Sequence, residues 1–195
     1  MKTLLSLLTM FVIQAAQPTW VSGSIHALQA ADVARAITVV FCDKVEVTAL
    51  QRSEAKAQAS RILASGRVSV EWVESCNGLR QPRYVTLVIL PHRPENWVRS
   101  DHAMGTAVVL TGPYLRAYVF FDLVKEFDSR YTTPNAQSAG TILGHAIAHE
   151  IGHLLGQPHT RSGIMSAEWG RREWTEALQG RMLFARLTPI TTRPQ

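Results

Sequence analysis

Hydrophobic and polar residues alternate, or apolar residues run together, in several short stretches of the first two thirds of the chain. The β-branched segment 37–47 and the alternating segment 68–74 predict strands. The almost wholly apolar segment 84–91 predicts a central strand covered on both faces. Two shorter apolar runs, 106–112 and 116–124, predict further strands. These patterns predict a sheet of four to five strands.

Helical patterns separate and follow the strands. Segment 49–66 is rich in Ala, Arg and Lys, and Thr48 precedes it as a candidate N-cap. A long helix is predicted from Ser138 to Leu155 and a last one from Trp174 to Leu187, whereas the polar segment 125–137 predicts a surface connection. This order of elements predicts a single α/β (α+β) domain, with a twisted mixed sheet packed on helices.

The N-terminal sequence MKTLLSLLTMFVIQAAQ has the layout of a secretory signal peptide, with one lysine, an apolar run and two small residues. The apolar run is too short to span a bilayer. We therefore expect a secreted or periplasmic protein, without stable membrane insertion once the signal is removed. An uncleaved anchor is the alternative, because the cleavage site is not a clean A-x-A. The predicted divisions are a signal peptide at 1–16, a lead-in at 17–36, a folded domain at 37–187 and a flexible tail at 188–195.

Composition narrows the class of protein. Hydrophobic residues make up 46% of the chain and charged residues 18%, which is typical of a globular domain. The formal net charge is +5, but no long basic run or basic-aromatic pattern indicates a nucleic-acid partner. We leave the oligomeric state open and favour a monomer. Cys42 and Cys76 permit one disulfide in an exported chain, or two separate buried thiols.

The segment HEIGHLLGQPH places three histidines and one glutamate within eleven residues. Residues four apart on a helix share a face, so His149 and His153 can reach one metal ion. Gly156 tolerates positive φ and can end the helix, which lets the chain bring His159 back to the same ion. A catalytic zinc takes three such ligands and a water. Glu150, next to the first ligand, can act as a general base.

This segment resembles the extended zinc signature of the metzincin metalloproteases. Met165, in SGIMS, resembles the methionine of the metzincin Met-turn, and the order of predicted elements over 37–187 is similar to a metzincin catalytic domain. The resemblance implies a metzincin-like fold with an active-site helix and one catalytic Zn²⁺. Glu150 would be the general base for a zinc-activated water, and Met165 would support the site without binding metal. The implied zinc ligands are His149, His153 and His159.

In metzincins an antiparallel edge strand borders the cleft, and the substrate pairs with it. The resemblance implies that segment 106–111 supplies this strand and that Ser166–Trp174 supplies a pocket wall. Some metzincins place a tyrosine ligand two residues after the Met-turn methionine, but this chain has Ala167 there, and we assign no subfamily. The candidate substrate-binding residues are Thr106, Ala107, Val108, Val109 and Trp169.

We therefore predict a secreted zinc-dependent metalloendopeptidase that hydrolyses a protein or peptide substrate. One alternative is a zinc amidase acting on a non-protein amide, such as a cell-wall crosslink. The other is a zinc-stabilised binding protein with little turnover, although such a site has no need of a base at Glu150. His145 lies one turn before His149 on the same face. It either contacts a metal ligand or the substrate, or is hydrogen-bonded near the start of the helix, and we favour the second reading.

Overall fold

The computed structural model describes residues 35–77, 84–97, 103–109, 114–132 and 138–184. The predicted signal peptide, all but the last two residues of the lead-in, and the predicted tail lie outside the described residues. Within the described ranges, no helix has both the length and the apolar character needed to cross a bilayer.

Five strands and four helices make up this part of the chain. The strands are β1 (Arg35–Asp43), β2 (Val68–Glu74), β3 (Tyr84–Leu90), β4 (Gly105–Val109) and β5 (Leu115–Phe120). The helices are α1 (Ala49–Ser65), α2 (Phe121–Tyr131), α3 (Ala139–Leu154) and α4 (Arg171–Leu178). Thr48 caps α1 as predicted, since its hydroxyl accepts a hydrogen bond from the backbone N–H of Gln51.

The sheet has the order β2-β1-β3-β5-β4, and β4 is an edge strand. The pairs β1–β2, β1–β3 and β3–β5 are parallel, whereas β4 runs antiparallel to β5 with Gly105 opposite Val119. Parallel neighbours need a crossover connection, and α1 supplies it between β1 and β2. The predicted single α/β domain, with a mixed sheet of four to five strands and an antiparallel edge strand, is confirmed, and the sheet has five strands.

The core lies between one face of the sheet and the helices. On β3, Val85, Leu87 and Ile89 alternate with less buried residues, so one face of this strand is completely covered. Full burial of such a side chain stabilises the fold by roughly 1.5–3 kcal/mol. Helices α1 and α3 approach closely, because a Cβ atom on Gly144 would lie 2.6 Å from the backbone oxygen of Ala55. This packing holds α3, which carries the histidine motif, rigidly over the sheet.

The largest difference in extent concerns the strand predicted last in the sequence. The strand predicted over 116–124 ends at Phe120, and α2 replaces its end and much of the predicted surface connection. The physical reason is that Phe121, Val124 and Phe127 are buried at helical spacing, so this stretch buries one helical face.

The last helix also differs from its prediction. It begins at Arg171 because the Glu173 carboxylate accepts a hydrogen bond from the Gly170 backbone N–H at 3.0 Å, which caps the first turn. It ends at Leu178, shortly before Gly180, whose φ of 69° does not continue a helix.

Cys42 and Cys76 form a disulfide, with their Cα atoms 4.6 Å apart. The structure therefore contains the disulfide and not the alternative of two separate buried thiols. It joins the end of β1 to the chain just after β2. Cys42 is buried and Cys76 is exposed, so the crosslink connects the core to the surface.

Candidate metal centre

Helix α3 presents two histidine rings one turn apart. The Nε2 atoms of His149 and His153 are 3.0 Å apart, and their ring planes are nearly perpendicular, at 86°. The i, i+4 spacing on one helical face therefore has the geometric consequence that the sequence predicts.

The turn that ends α3 returns the third histidine to the first two. Gly156 has a φ of 81°, its N–H donates to the His153 carbonyl, and the Gln157 N–H donates to the Gly152 carbonyl. This pair of hydrogen bonds is the Schellman arrangement, which reverses the chain direction at a helix C-terminus. The Nε2 atom of His159 consequently lies 3.0 Å from that of His153. The predicted role of Gly156 in this turn is confirmed.

Backbone carbonyls orient two of the rings. His149 Nδ1 lies 2.7 Å from the Ile164 oxygen, and His153 Nδ1 lies 2.9 Å from the Gln157 oxygen. A carbonyl oxygen can only accept, so each Nδ1 must carry the proton. In the neutral ring each Nε2 then keeps its lone pair. Burial lowers the pKa of His149 to about 4, so this ring is neutral near pH 7.

This arrangement fits a metal ion. The ligand atoms of His149, His153 and His159 lie within 4.8 Å of one another. Lone pairs of neutral imidazoles that face each other at 3.0 Å repel, and a cation between them would remove that repulsion. In a tetrahedral zinc site the ligand nitrogens are roughly 3.3 Å apart, which is close to the spacing here. The three histidines could therefore hold a metal ion.

The segment containing Met165 forms hydrogen bonds at the first histidine and beside the third. The carbonyl of Ile164 binds the His149 ring, and the carbonyl of Met165 accepts a hydrogen bond from the Thr160 N–H at 2.8 Å. The Met165 side chain is buried, and a Cβ atom on Gly152 of α3 would lie 2.6 Å from its sulfur. Met165 thus packs beneath the histidines on the helix that carries two of them.

Glu150 is buried, with 5% of its surface exposed, and its side chain lies against the edge strand. A Cβ atom on Gly105 of β4 would be 2.7 Å from both Cγ and Oε1 of Glu150. The structure therefore brings a carboxylate from the helix up to the backbone of β4. Sequence reasoning missed Gly105 and Gly152, although a glycine inside a strand is a known signal of close approach.

The candidate substrate-binding residues occupy two places. Thr106, Ala107, Val108 and Val109 lie in β4, which pairs only with β5 among the described strands. Thr106 is buried, whereas Ala107 and Val108 are partly exposed. Trp169 lies edge-on to His149, with ring centroids 5.8 Å apart, and its Nε1 donates to the Ser166 carbonyl.

His145 does not join the metal centre. Its ring is fully buried, and Nδ1 donates to the Thr141 carbonyl one turn earlier at 2.7 Å. Nε2 is buried and has no hydrogen-bond partner among the described residues. Burial is the main reason that the pKa of His145 falls to about 4. The favoured reading, a histidine hydrogen-bonded within the helix, agrees with this geometry.

The comparisons with known proteins add a structural neighbour. No family model matches the chain, and no curated protein matches it. Its fold is similar to that of a solved structure, metalloproteinase-II from Bacteroides fragilis, at 14% sequence identity and a TM-score of 0.42. The match covers 75% of this chain and 53% of that chain, so the present chain spans about half the length of its neighbour.

Proposed function

We propose that the chain is a secreted zinc-dependent metalloendopeptidase of the metzincin type. One observation carries the proposal: the Nε2 atoms of His149 and His159 each lie 3.0 Å from that of His153, next to a buried carboxylate from the same helix. A structural zinc site is usually closed by four protein ligands. Among the described residues only three ligands converge, which leaves a position for a water or a substrate.

His149, His153 and His159 would hold the ion, and their carbonyl-bound Nδ1 atoms keep two of the three rings in place. Bound there, zinc would supply Lewis acidity toward a carbonyl oxygen and would lower the pKa of a water to about 7. The backbone carbonyls of Ile164 and Gln157 already orient the His149 and His153 rings without the ion. Because little reorganisation is needed, the site is suited to tight binding.

Glu150 is the residue that we assign to proton transfer. Its carboxylate takes the proton from the attacking water and then delivers it to the nitrogen of the departing amine. Glu150 follows a ligand directly and is buried on a helix that is packed on both sides, so its position is rigid. A base held within hydrogen-bond reach of the water contributes roughly 10²–10⁴-fold to the rate.

Strand β4 is suited to hold a peptide. Its outer edge pairs with no other described strand, and an extended peptide can add there by main-chain hydrogen bonding. Trp169, beside His149, would form part of a side-chain pocket. A substrate bound in this way would lie along β4, against which the side chain of Glu150 packs at Gly105.

Export is supported by two independent features. The N-terminal sequence has the layout of a signal peptide. Cys42 and Cys76 form a disulfide, and disulfides form and persist mainly in oxidising compartments outside the cytosol.

The test is cleavage of a peptide library, read by mass spectrometry, with the mature chain and Glu150→Gln in parallel. Glu150→Gln keeps the size of the side chain but removes the base, so we expect zinc to remain bound and cleavage to fall at least 100-fold. Glu126→Gln is the matched control, because Glu126 is exposed on α2 and pairs with Arg130.

Cleavages present in the wild type and lost only in Glu150→Gln would support the peptidase. If one zinc bound per chain and no peptide were cut, a cell-wall amide would be the next substrate to assay. If neither peptides nor the cell-wall amide were hydrolysed, the alternative of a zinc-stabilised binding protein would be favoured. Full activity of Glu150→Gln would contradict the assigned role of the base.

A further inference from the structure

Gly105, the first residue of β4, leaves a space that the catalytic helix fills. A Cβ atom built on Gly105 would lie 2.7 Å from Cγ of Glu150, 2.7 Å from its Oε1 and 2.7 Å from the backbone oxygen of Tyr118. Real Cβ atoms essentially never make contacts under 3.0 Å. The side chain of Glu150 therefore occupies the volume that any other residue at position 105 would need.

The register of the sheet explains why Gly105 meets the helix. Gly105 pairs with Val119, which is fully buried on the side of the sheet that packs on the helices. Glu150 lies in the second half of α3, a helix that contacts both β4 and β5. Its carboxylate thus reaches into the narrow space between α3 and the backbone of the edge strand.

We propose that Gly105 is a positioning residue for Glu150, and this inference rests on the proposed function. Because position 105 carries no side chain, the carboxylate can lie directly against the strand on which a peptide would pair. A methyl group there would either turn the Glu150 side chain away or push β4 away from α3. Both changes move the base relative to the bound peptide, and a misplacement of about 1 Å can cost roughly 100-fold in rate.

A purely structural explanation also exists, because the same methyl group would press on the Tyr118 carbonyl of β5. The two explanations differ in their dependence on Glu150. If Glu150 defines the space, removing its side chain should make a methyl group at 105 easier to accommodate. If the β5 backbone defines the space, the identity of residue 150 should make no difference.

The first experiment is a double-mutant cycle on the thermal unfolding midpoint of the mature chain, without metal and with zinc. We expect Gly105→Ala to lower the midpoint by several degrees in the wild type and by clearly less in the Glu150→Ala background. Gly140→Ala is the matched control, since a Cβ atom there would press on the Glu54 carboxylate and meet Gln51 of α1 at 3.0 Å, nearly three helical turns from Glu150. Its effect should be equal in both backgrounds. Equal losses for Gly105→Ala in both backgrounds would overturn the inference.

The second experiment measures peptide hydrolysis and zinc affinity of the same variants. We expect Gly105→Ala to lower kcat roughly 10- to 100-fold while zinc affinity and KM change less than about threefold. The aspartate side chain is one methylene shorter, so in a Glu150→Asp background Gly105→Ala should lower kcat much less. Wild-type kcat in Gly105→Ala would overturn the inference. A wild type that cuts no peptide would instead refute the proposed function, and the unfolding cycle would still test the contact.

Discussion

The backbone carbonyl of Ile164 accepts the hydrogen bond of His149 Nδ1 at 2.7 Å, although the two residues are 15 positions apart. The next carbonyl, of Met165, accepts from the N–H of Thr160, which follows the third histidine. The segment Ile164–Met165 therefore positions the ring of His149 and also the backbone of Thr160, the residue after His159. Changes that shift this segment should alter metal affinity without touching a ligand.

Gly152→Ala should destabilise the protein and weaken metal binding. The new Cβ atom would lie 2.6 Å from the Met165 sulfur and 3.0 Å from Cε1 of Phe184, and both side chains are buried. Overpacking of this kind costs about 1–3 kcal/mol. Urea unfolding and zinc titration measure the two effects. Gly170→Ala is the stability control, because within the described part of the chain its Cβ atom would meet nothing closer than the Glu173 carboxylate at 3.8 Å. An unchanged unfolding midpoint for Gly152→Ala would contradict the tight packing of Met165.

Gly156→Ala should displace His159. Gly156 has a φ of 81°, a left-handed conformation that costs an alanine about 1–2 kcal/mol. Relief of that strain would open the turn and move the third ligand, so zinc affinity should fall by at least tenfold. Zinc affinity should fall less in Gly156→Asn, since asparagine tolerates this conformation better. Competition with a chelator of known affinity measures the zinc affinity of each variant. Equal zinc affinities of the wild type, Gly156→Asn and Gly156→Ala would argue against this turn as the determinant of the His159 position.

Acidification should destabilise the metal-free protein through His145. Burial lowers its pKa to about 4 in the folded state, below the ordinary histidine value of 6.5, so the unfolded chain binds more protons between these values. The contribution of His145 to the free energy of unfolding is therefore fully present above about pH 6.5. It is lost as the pH falls toward 4, by up to about 3 kcal/mol. Unfolding midpoints from pH 7 to pH 4 test this. The non-titrating variant His145→Gln should show a shallower pH dependence, and an identical slope would exclude His145 as a source.

Loss of the disulfide should lower the stability of the fold. Cys42 and Cys76 are 34 residues apart, and the loop-entropy estimate for that separation is about 3–4 kcal/mol. Cys76→Ser is the cleaner variant, because Cys76 is exposed whereas Cys42 is buried. Denaturant unfolding of this variant and of the wild type with and without reductant gives the comparison. If reductant had no effect on the wild type, the crosslink would not be what stabilises this end of β1.

Local patterns were enough to predict α3 and most of the sheet. The apolar residues of α3 and its long span indicate a helix, whereas the alternation in β2 and the apolar run of β3 indicate strands. The pattern failed at α2, because the apolar run through β5 continues into Phe121 without a break that a strand prediction would recognise. Burial of Phe121, Val124 and Phe127 against other elements decides that this stretch is helical.

The sequence by itself determined the kind of residues at the candidate metal centre and their spacing. Two histidines four apart on a helix must share a face, and a glycine after the helix allows the chain to reverse. Only the tertiary structure decided that Ile164 orients His149, that Met165 packs on Gly152 and that Glu150 fills the space beside Gly105. The physical reason is that these contacts join residues distant in sequence. They depend on how the helix, the edge strand and the following turn pack together, which no local periodicity records.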